Sequence, residues 1–155
     1  MSESDMKLVE SCVLIGLEAS EAGDVIHALG ATLVDAGYIL PEYVADVIER
    51  EGEFSTGLPT AVPIAIPHAS SGNCVTTALA VGILKQPVGF GEMGTPGNRL
   101  DVEMVFLLAI KNVHEQTIWL RNLMKIFKNK ELMLRLKSCD EPSQVVLLMS
   151  DALKG

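Results

Sequence analysis

The chain has 155 residues, 48% of them apolar, and a formal net charge of −8. That length predicts one domain, residues 1–155, with a single well-buried core. The acidic balance excludes the basic footprint that nucleic acid or an anionic membrane surface demands, and no run reaches the roughly 18 uninterrupted apolar residues of a membrane span.

The N-terminus, Met1-Ser2-Glu3-Ser4-Asp5, lacks the basic-then-apolar layout of a secretory signal, so a cytoplasmic protein is expected. Cys12, Cys74 and Cys139 form no CxxC pair and no zinc spacing, and are read as reduced thiols. Cys12 to Leu17 reads as an extended segment. A helix opens at Ser20 with Gly23-Asp24 and runs to about Ala36, with Val25, Leu29 and Leu33 on its apolar face. His27 falls on the opposite face and is expected in solvent. Gly37 ends this helix and Pro41 begins a second, to about Glu51, burying Val44, Val47 and Ile48.

Gly52 to Pro63 is a loop marked by Gly and Pro. It leads into Ile64-Ala65-Ile66-Pro67-His68-Ala69, a short apolar strand that a proline stiffens and a histidine ends. Thr76 to Leu84 predicts a buried strand. Gln86 to Arg99 has four glycines and two prolines but no Lys-Ser or Lys-Thr after them, so it is no phosphate-binding loop. It reads as a surface excursion with a short strand around Val88–Phe90. Val102 to Ile110, nearly continuous in apolar residues, predicts a central strand covered on both faces. Asn112 with Glu115 marks a helix start, and Trp119, Leu120, Leu123, Met124 and Phe127 supply its apolar stripe. Helices from about Glu131 to Lys137 and from Pro142 to Leu153, the last capped by Asp140, complete an α/β sandwich with helices on both faces.

Two histidines stand out by position. His68 ends a strand, where sites are commonly mounted. His114 lies at the start of a helix, where free amides bind anions and the dipole field favours neutral imidazole. A neutral imidazole is a nucleophile, and a phosphoryl group suits such amides. His68 as nucleophile, with His114, Arg50 and helix amides around the phosphate, makes a coherent phosphoryl-transfer site, since that chemistry needs little beyond positioning and charge stabilisation. The plainer alternatives stay open: His68 merely ends a strand, Arg50 is a helix C-terminal cation, and His114 is a surface residue of a capping turn. Cys74 near His68 carries no nucleophile motif and reads as a buried thiol. Ser70 and Ser71 lack the Gly-x-Ser-x-Gly elbow of a serine hydrolase. The His-Glu-x-x-His spacing of a metal-dependent hydrolase is missing too.

Arg50-Glu51, Ser55-Thr56-Gly57-Leu58 and Ile64-Ala65-Ile66-Pro67-His68-Ala69, in that order, resemble the IIA component of the phosphoenolpyruvate-dependent sugar phosphotransferase system, of the fructose/mannitol type. The wording Glu51-x-Glu53-Phe54-x-Thr56-Gly57 is most similar to the galactitol branch. The segment Leu58 to Ile64 looks longer than in the mannitol branch. The resemblance implies a three-layer sandwich with a mixed, mostly parallel sheet of about five strands. It implies that His68 accepts a phosphoryl group from the histidine-containing phosphocarrier protein HPr and passes it to a cysteine of a IIB component. His114 matches a second histidine that assists some members, although galactitol-type members can lack it. Arg50 matches an arginine that contacts the phosphoryl group or the partner, and Glu51 is placed beside it in that role, with pairing to Arg50 or solvent as its plainer alternative. No cofactor and no metal is implied: the phosphoryl group originates from phosphoenolpyruvate. Membrane association is expected only through IIB and a IIC component. Two docking surfaces are expected to overlap around an exposed His68, rimmed by Ile64, Ala69, Phe90 and Met93. The other reading is a regulatory module of the nitrogen-type IIA kind, whose phosphorylation partners read without sugar transport.

Overall fold

The structure, a computed structural model, describes residues 6–154; the acidic stretch Met1 to Asp5 lies outside them. In chain order the elements are β1 (Val13–Leu17), α1 (Ala22–Asp35), α2 (Pro41–Glu53), β2 (Gly57–Leu58), β3 (Ile64–Ala65), β4 (Ala78–Glu92), β5 (Thr95–Ala109), α3 (Gln116–Phe127), α4 (Lys130–Lys137) and α5 (Pro142–Lys154). A 3₁₀ turn precedes β1 (Glu10–Cys12) and another precedes α3 (Val113–Glu115).

The strands form one five-stranded sheet. β1 runs parallel to β4, β2 to β4 and β3 to β5, while β2–β3 and β4–β5 are antiparallel. The mixed, mostly parallel sheet expected from the sequence is therefore present. Its longest pairing, however, is the β4–β5 hairpin.

Side chains alternate along β4 and β5 and sort the core into two clusters, because successive residues of a strand face opposite ways. Ala78, Ala80, Val105, Leu107 and Ala109 face Val25, Leu29, Leu33, Tyr43 and Val47 of α1 and α2. Leu79, Val81, Met104, Phe106 and Leu108 face Leu123, Phe127, Met133, Leu136, Val145 and Met149 of α3, α4 and α5. The rings of Phe106 and Phe127 meet with centroids 4.8 Å apart. The inner halves of β4 and β5 are buried from both sides, hence the apolar run at Val102 to Ile110 that only Glu103 interrupts. On the α1 side β4 carries Ala and Gly, and a Cβ on Gly82 would come within 3.3 Å of Leu29. That helix lies close against the sheet.

Several local signals act as expected, and others do not. Pro41 opens α2, and Gly37, at φ 81°, follows the end of α1. At α1 the cap is Glu21 rather than Ser20: its side chain accepts from the Asp24 amide, while its own amide donates to Asp24 Oδ2 at 3.1 Å. At α5 the Gln144 side chain accepts from the Asp140 and Glu141 amides at 2.8 and 3.1 Å, in place of the cap expected from Asp140.

The clearest departure is at Gln86 to Arg99, expected as a surface excursion. Both strands continue through it and turn only at Met93-Gly94, with Gly94 at φ 77° and Glu92 opposite Thr95. The glycines there divide between close approach (Gly89 and Gly91) and left-handed backbone (Gly94 and Gly97). A Cβ on Gly89 would meet the Arg99 guanidinium at 2.8 Å, and Pro87 sits inside the register shift between Ile83 and Val88. The hairpin tip then pairs with β2 at Gly57↔Glu92.

A Cβ on Gly57 would lie 2.5 Å from the carbonyl oxygen of Gly91, a backbone atom that no rotamer change can move. Gly57→Ala is expected to cost about 1–3 kcal/mol as overpacking, and so to lower Tm by roughly 2–4 °C per kcal/mol in a thermal melt. A melt unchanged from wild type would show that the tip does not press on β2.

Candidate phosphoryl-transfer site

β3 continues its register with β5 beyond its last residue. Ile64 pairs with Met104 and Ala65 with Val105, and after an interval His68 bridges to Leu108. Pro67 fits here because the ladder asks it to accept, not donate: Leu108 N–H donates to the Pro67 carbonyl at 3.0 Å. His68 thus stands at the end of a buried strand on a stiff backbone.

The histidine is not exposed, as had been expected; only 7% of its surface is accessible. Its Nδ1 lies 2.8 Å from the Ile66 carbonyl oxygen. A carbonyl can only accept, so in the neutral ring the proton sits on Nδ1 and the lone pair on Nε2. Burial, aided by the positive charge of Arg50, holds the imidazole below the ordinary histidine value, and the Ile66 bond opposes this in part. At His68 it is desolvation that favours the neutral ring, and not the helix-start field that the sequence offered at His114.

α2 supplies the surroundings. Arg50, in its last turn, rests over the Phe54 ring with its guanidinium carbon 5.3 Å from the centroid. Its Nε is buried without a hydrogen-bond partner. A desolvated guanidinium N–H that protein leaves unpaired is a donor available to an anion. Glu51 is turned inward instead of towards the phosphoryl position assigned to it from sequence. It is 8% exposed, its Oε2 accepts from the Thr56 amide at 2.9 Å and its Oε1 from the Thr56 hydroxyl at 2.8 Å. Burial raises its carboxyl pKa, while the two Thr56 bonds and Arg50 lower it. The Thr56 hydroxyl in turn accepts from Ile66 N–H at 3.2 Å.

Tyr43, which sequence reasoning passed over, closes the other side. Its side chain is fully buried, and its hydroxyl accepts from the Ala69 amide at 3.2 Å while lying 3.0 Å from both the Ala69 and Leu108 carbonyl oxygens. Burial raises its phenol pKa far above the ordinary range, so it remains a hydroxyl. Only the placing of a tyrosine on the apolar face of α2, one residue before Val44, hinted at it.

His114 sits in the 3₁₀ turn ahead of α3, and its amide donates to Asn112 Oδ1 at 3.0 Å. Its ring is exposed and lines a surface cleft of about 650 Å³ with Val75, Thr76, Lys111 and Val113, a lining that does not include His68. The two histidines share one edge of the fold, because Ser70 Oγ donates to Gln116 Oε1 at 2.8 Å and ties the loop after His68 to the start of α3. Ile64, Ala69 and Phe90, expected as docking rim, are 0%, 5% and 1% exposed and belong to the core. Met93 is exposed at the hairpin turn, and Phe54, Val113 and Ile118 are exposed apolar side chains as well. Cys74 points to backbone carbonyls of Tyr38 and Thr76, and burial raises its thiol to about 11, which keeps it protonated. Among the described residues no three His, Cys, Asp or Glu side chains gather as a metal set.

Two measurements check this geometry. The His68 ring should titrate below 6.5 by NMR, and Arg50→Ala should move that midpoint upward by removing a positive neighbour. Above 6.5 both folded and unfolded chains carry the neutral ring; as pH falls the unfolded chain binds the proton first, so His68 subtracts stability as pH drops towards its folded value. A midpoint at or above 6.5 would contradict the buried neutral ring. Tyr43→Phe should cost about 1–3 kcal/mol in denaturant unfolding, because the Ala69 amide loses its acceptor in a buried place; an unchanged stability would mean that water replaces the hydroxyl.

Known proteins resemble the chain, some over nearly its full length and others over part of it. The mannitol-specific phosphotransferase enzyme IIA component of Bacillus subtilis is 25% identical over 147 residues, covering 93% of this chain and 96% of that protein. The transcriptional regulator ManR of the same organism is 30% identical over 106 residues, or 68% of this chain, and the chain spans 15% of the regulator's length. The complex of enzyme IIAMTL and phosphorylated enzyme IIBMTL from Escherichia coli contains a chain that superposes with a TM-score of 0.77 at 25% identity, over 94% of this chain and 99% of that one. The sequence profile described as "Phosphoenolpyruvate-dependent sugar phosphotransferase system, EIIA 2" matches residues 6–152, and the chain therefore belongs to that EIIA family.

Proposed function

We propose that the chain is a phosphocarrier of a sugar phosphotransferase system, taking a phosphoryl group on His68 from HPr and yielding it to a cysteine of a IIB component. The observation that carries the reading is the pairing at His68. A buried neutral imidazole has its Nδ1–H bonded to Ile66, and the buried Arg50 Nε beside it has no partner. The first supplies a nucleophile, the second a charge-assisted donor for phosphoryl oxygens.

The Nε2 lone pair of His68 attacks phosphorus on the donor phosphohistidine. The new N–P bond forms as the donor's N–P bond breaks, and the donor imidazole leaves with the electron pair. No proton moves at His68, because Nδ1 already carries one and keeps its bond to Ile66. A cysteine thiolate of the acceptor then attacks the same phosphorus, and His68 leaves as the neutral ring it was. Arg50 turns from the Phe54 ring to the phosphoryl oxygens, where desolvation strengthens the attraction. His114 acts from the neighbouring turn on the partner or the phosphoryl group as they dock. The phosphoryl group originates from phosphoenolpyruvate, and the chemistry asks for no cofactor or metal. The cytoplasmic placing is proposed on the family assignment alone; separately, no helix among the described residues is long and apolar enough to cross a membrane.

The relatives named above support a mannitol or fructose type of system. Within it we assign the galactitol-like branch, on the wording of residues Glu51 to Gly57. The match to a regulator covers a small part of a longer protein and does not favour a regulatory role.

Incubation with radiolabelled phosphoenolpyruvate, enzyme I and HPr tests the assignment. Acid-labile, base-stable label is expected on wild type and none on His68→Ala. Arg50→Ala should slow labelling about 10²-fold, the scale of losing one preorganised charge-assisted donor, and His114→Ala should slow it less. Equal labelling of wild type and His68→Ala, or of neither, overturns the phosphocarrier reading. Chase with IIB domains of mannitol and galactitol type decides the branch: faster discharge to the mannitol type would sink the galactitol assignment alone.

A further inference from the structure

The site contains a buried hydrogen-bonded chain that the transfer chemistry does not use directly. Thr56, 3% exposed, has a single hydroxyl proton and commits it to Glu51 Oε1 at 2.8 Å. Glu51 also holds the Thr56 amide, at 2.9 Å, so the side chain and the backbone of this threonine are gripped together. With its proton engaged, the hydroxyl turns a lone pair to Ile66 N–H at 3.2 Å. Ile66 precedes Pro67, and a residue before proline is confined to extended backbone. Fixing its amide therefore fixes where its carbonyl points. That carbonyl receives His68 Nδ1–H at 2.8 Å.

We propose that Thr56, anchored by the buried Glu51 carboxylate, is a positioning residue that selects the His68 tautomer with its lone pair on Nε2. This rests on the reading of His68 as phosphoryl acceptor, since only a nucleophile needs that lone pair free. The opposite tautomer carries a proton on Nε2 and cannot attack. Loss of the hydroxyl leaves Ile66 N–H and the Glu51 carboxylate buried and short of partners, and lets the Ile66 peptide rotate away from the ring. Arg50 and His114 make no hydrogen bond in this chain, so loss of the uncharged Thr56 hydroxyl removes no charge from around the phosphoryl group.

The test reads the tautomer itself. In ¹⁵N-labelled protein held above the titration range of histidine, long-range ¹H–¹⁵N correlations report which ring nitrogen of His68 bears hydrogen. Wild type and Thr56→Ser should both show Nδ1–H. Thr56→Val should show a mixture, and its rate of phosphoryl acceptance from HPr should fall about ten- to hundredfold in kcat, the scale of a slightly misplaced reacting group, with KM for HPr unchanged. A folded Thr56→Val with the wild-type tautomer overturns the inference. Should that variant not fold, Glu51→Ala, which frees the hydroxyl without removing it, is read in the same way, and a wild-type tautomer there overturns it equally. If wild type takes no phosphoryl group, the function proposed above falls, while the tautomer in the variants still decides what Thr56 does.

Discussion

A strand that ends on a proline inside a protein leaves backbone groups that water cannot reach, and every one of them has to find a partner. That requirement organises the region around His68. The Ile66 amide goes to Thr56, the Ile66 carbonyl to the histidine ring, the Pro67 carbonyl to Leu108 and the Ala69 amide to Tyr43. Both Tyr43 and Glu51 come from α2, one in its first turn and one in its last third. One helix therefore grips the histidine segment from both sides, before the proline and after the histidine. An unpaired buried amide costs about 1–3 kcal/mol, so the segment has little freedom to rearrange while α2 stays docked.

What keeps α2 docked is apolar. Val44 and Val47 pack with α1 and the sheet, and Gly30 of α1 lets the helices come close: a Cβ there would meet Val44 Cγ2 at 2.6 Å. The same helix then delivers three polar side chains to the site edge with different fates. Tyr43 and Glu51 are fully used by the protein. Arg50 is left with a buried, unpaired donor and only the face of Phe54 to rest on. Burial thus does two things at once: it keeps the imidazole neutral, and it leaves one cation underpartnered next to it. A neutral nucleophile beside a free charge-assisted donor is what transfer of an anionic group asks for.

Much of the architecture was legible because its causes are local. Period-3.6 stripes placed α1, α2 and α3, proline and glycine marked the ends of the first two, and the nearly continuous apolar run at Val102 to Ile110 announced a strand covered on both faces. The β4–β5 arm was not legible for a physical reason. Gly89 and Gly91 are spaced to admit Arg99 and Ser55 against the backbone, and glycine that serves packing reads in sequence the same as glycine that serves a turn. The docking rim failed likewise: apolar residues such as Phe90 are core or surface according to what lies over them, which is a property of the fold. The exposure of His68 was misjudged on similar grounds.

Taken alone, the amino-acid sequence determined the layers of the fold, the proline-stiffened strand that ends in His68 and, through the order of short motifs from Arg50 to Ala69, the family. These rest on periodicity, dihedral restriction and residue order, all carried along the chain. Only tertiary structure decided that the imidazole is buried and neutral with Nε2 free, that Glu51 turns inward to Thr56 while Arg50 stays unpaired, and that Tyr43 holds the far side. Each of those depends on desolvation and on hydrogen bonds between residues as far as 65 positions apart, which exist only once α2 has packed across the sheet.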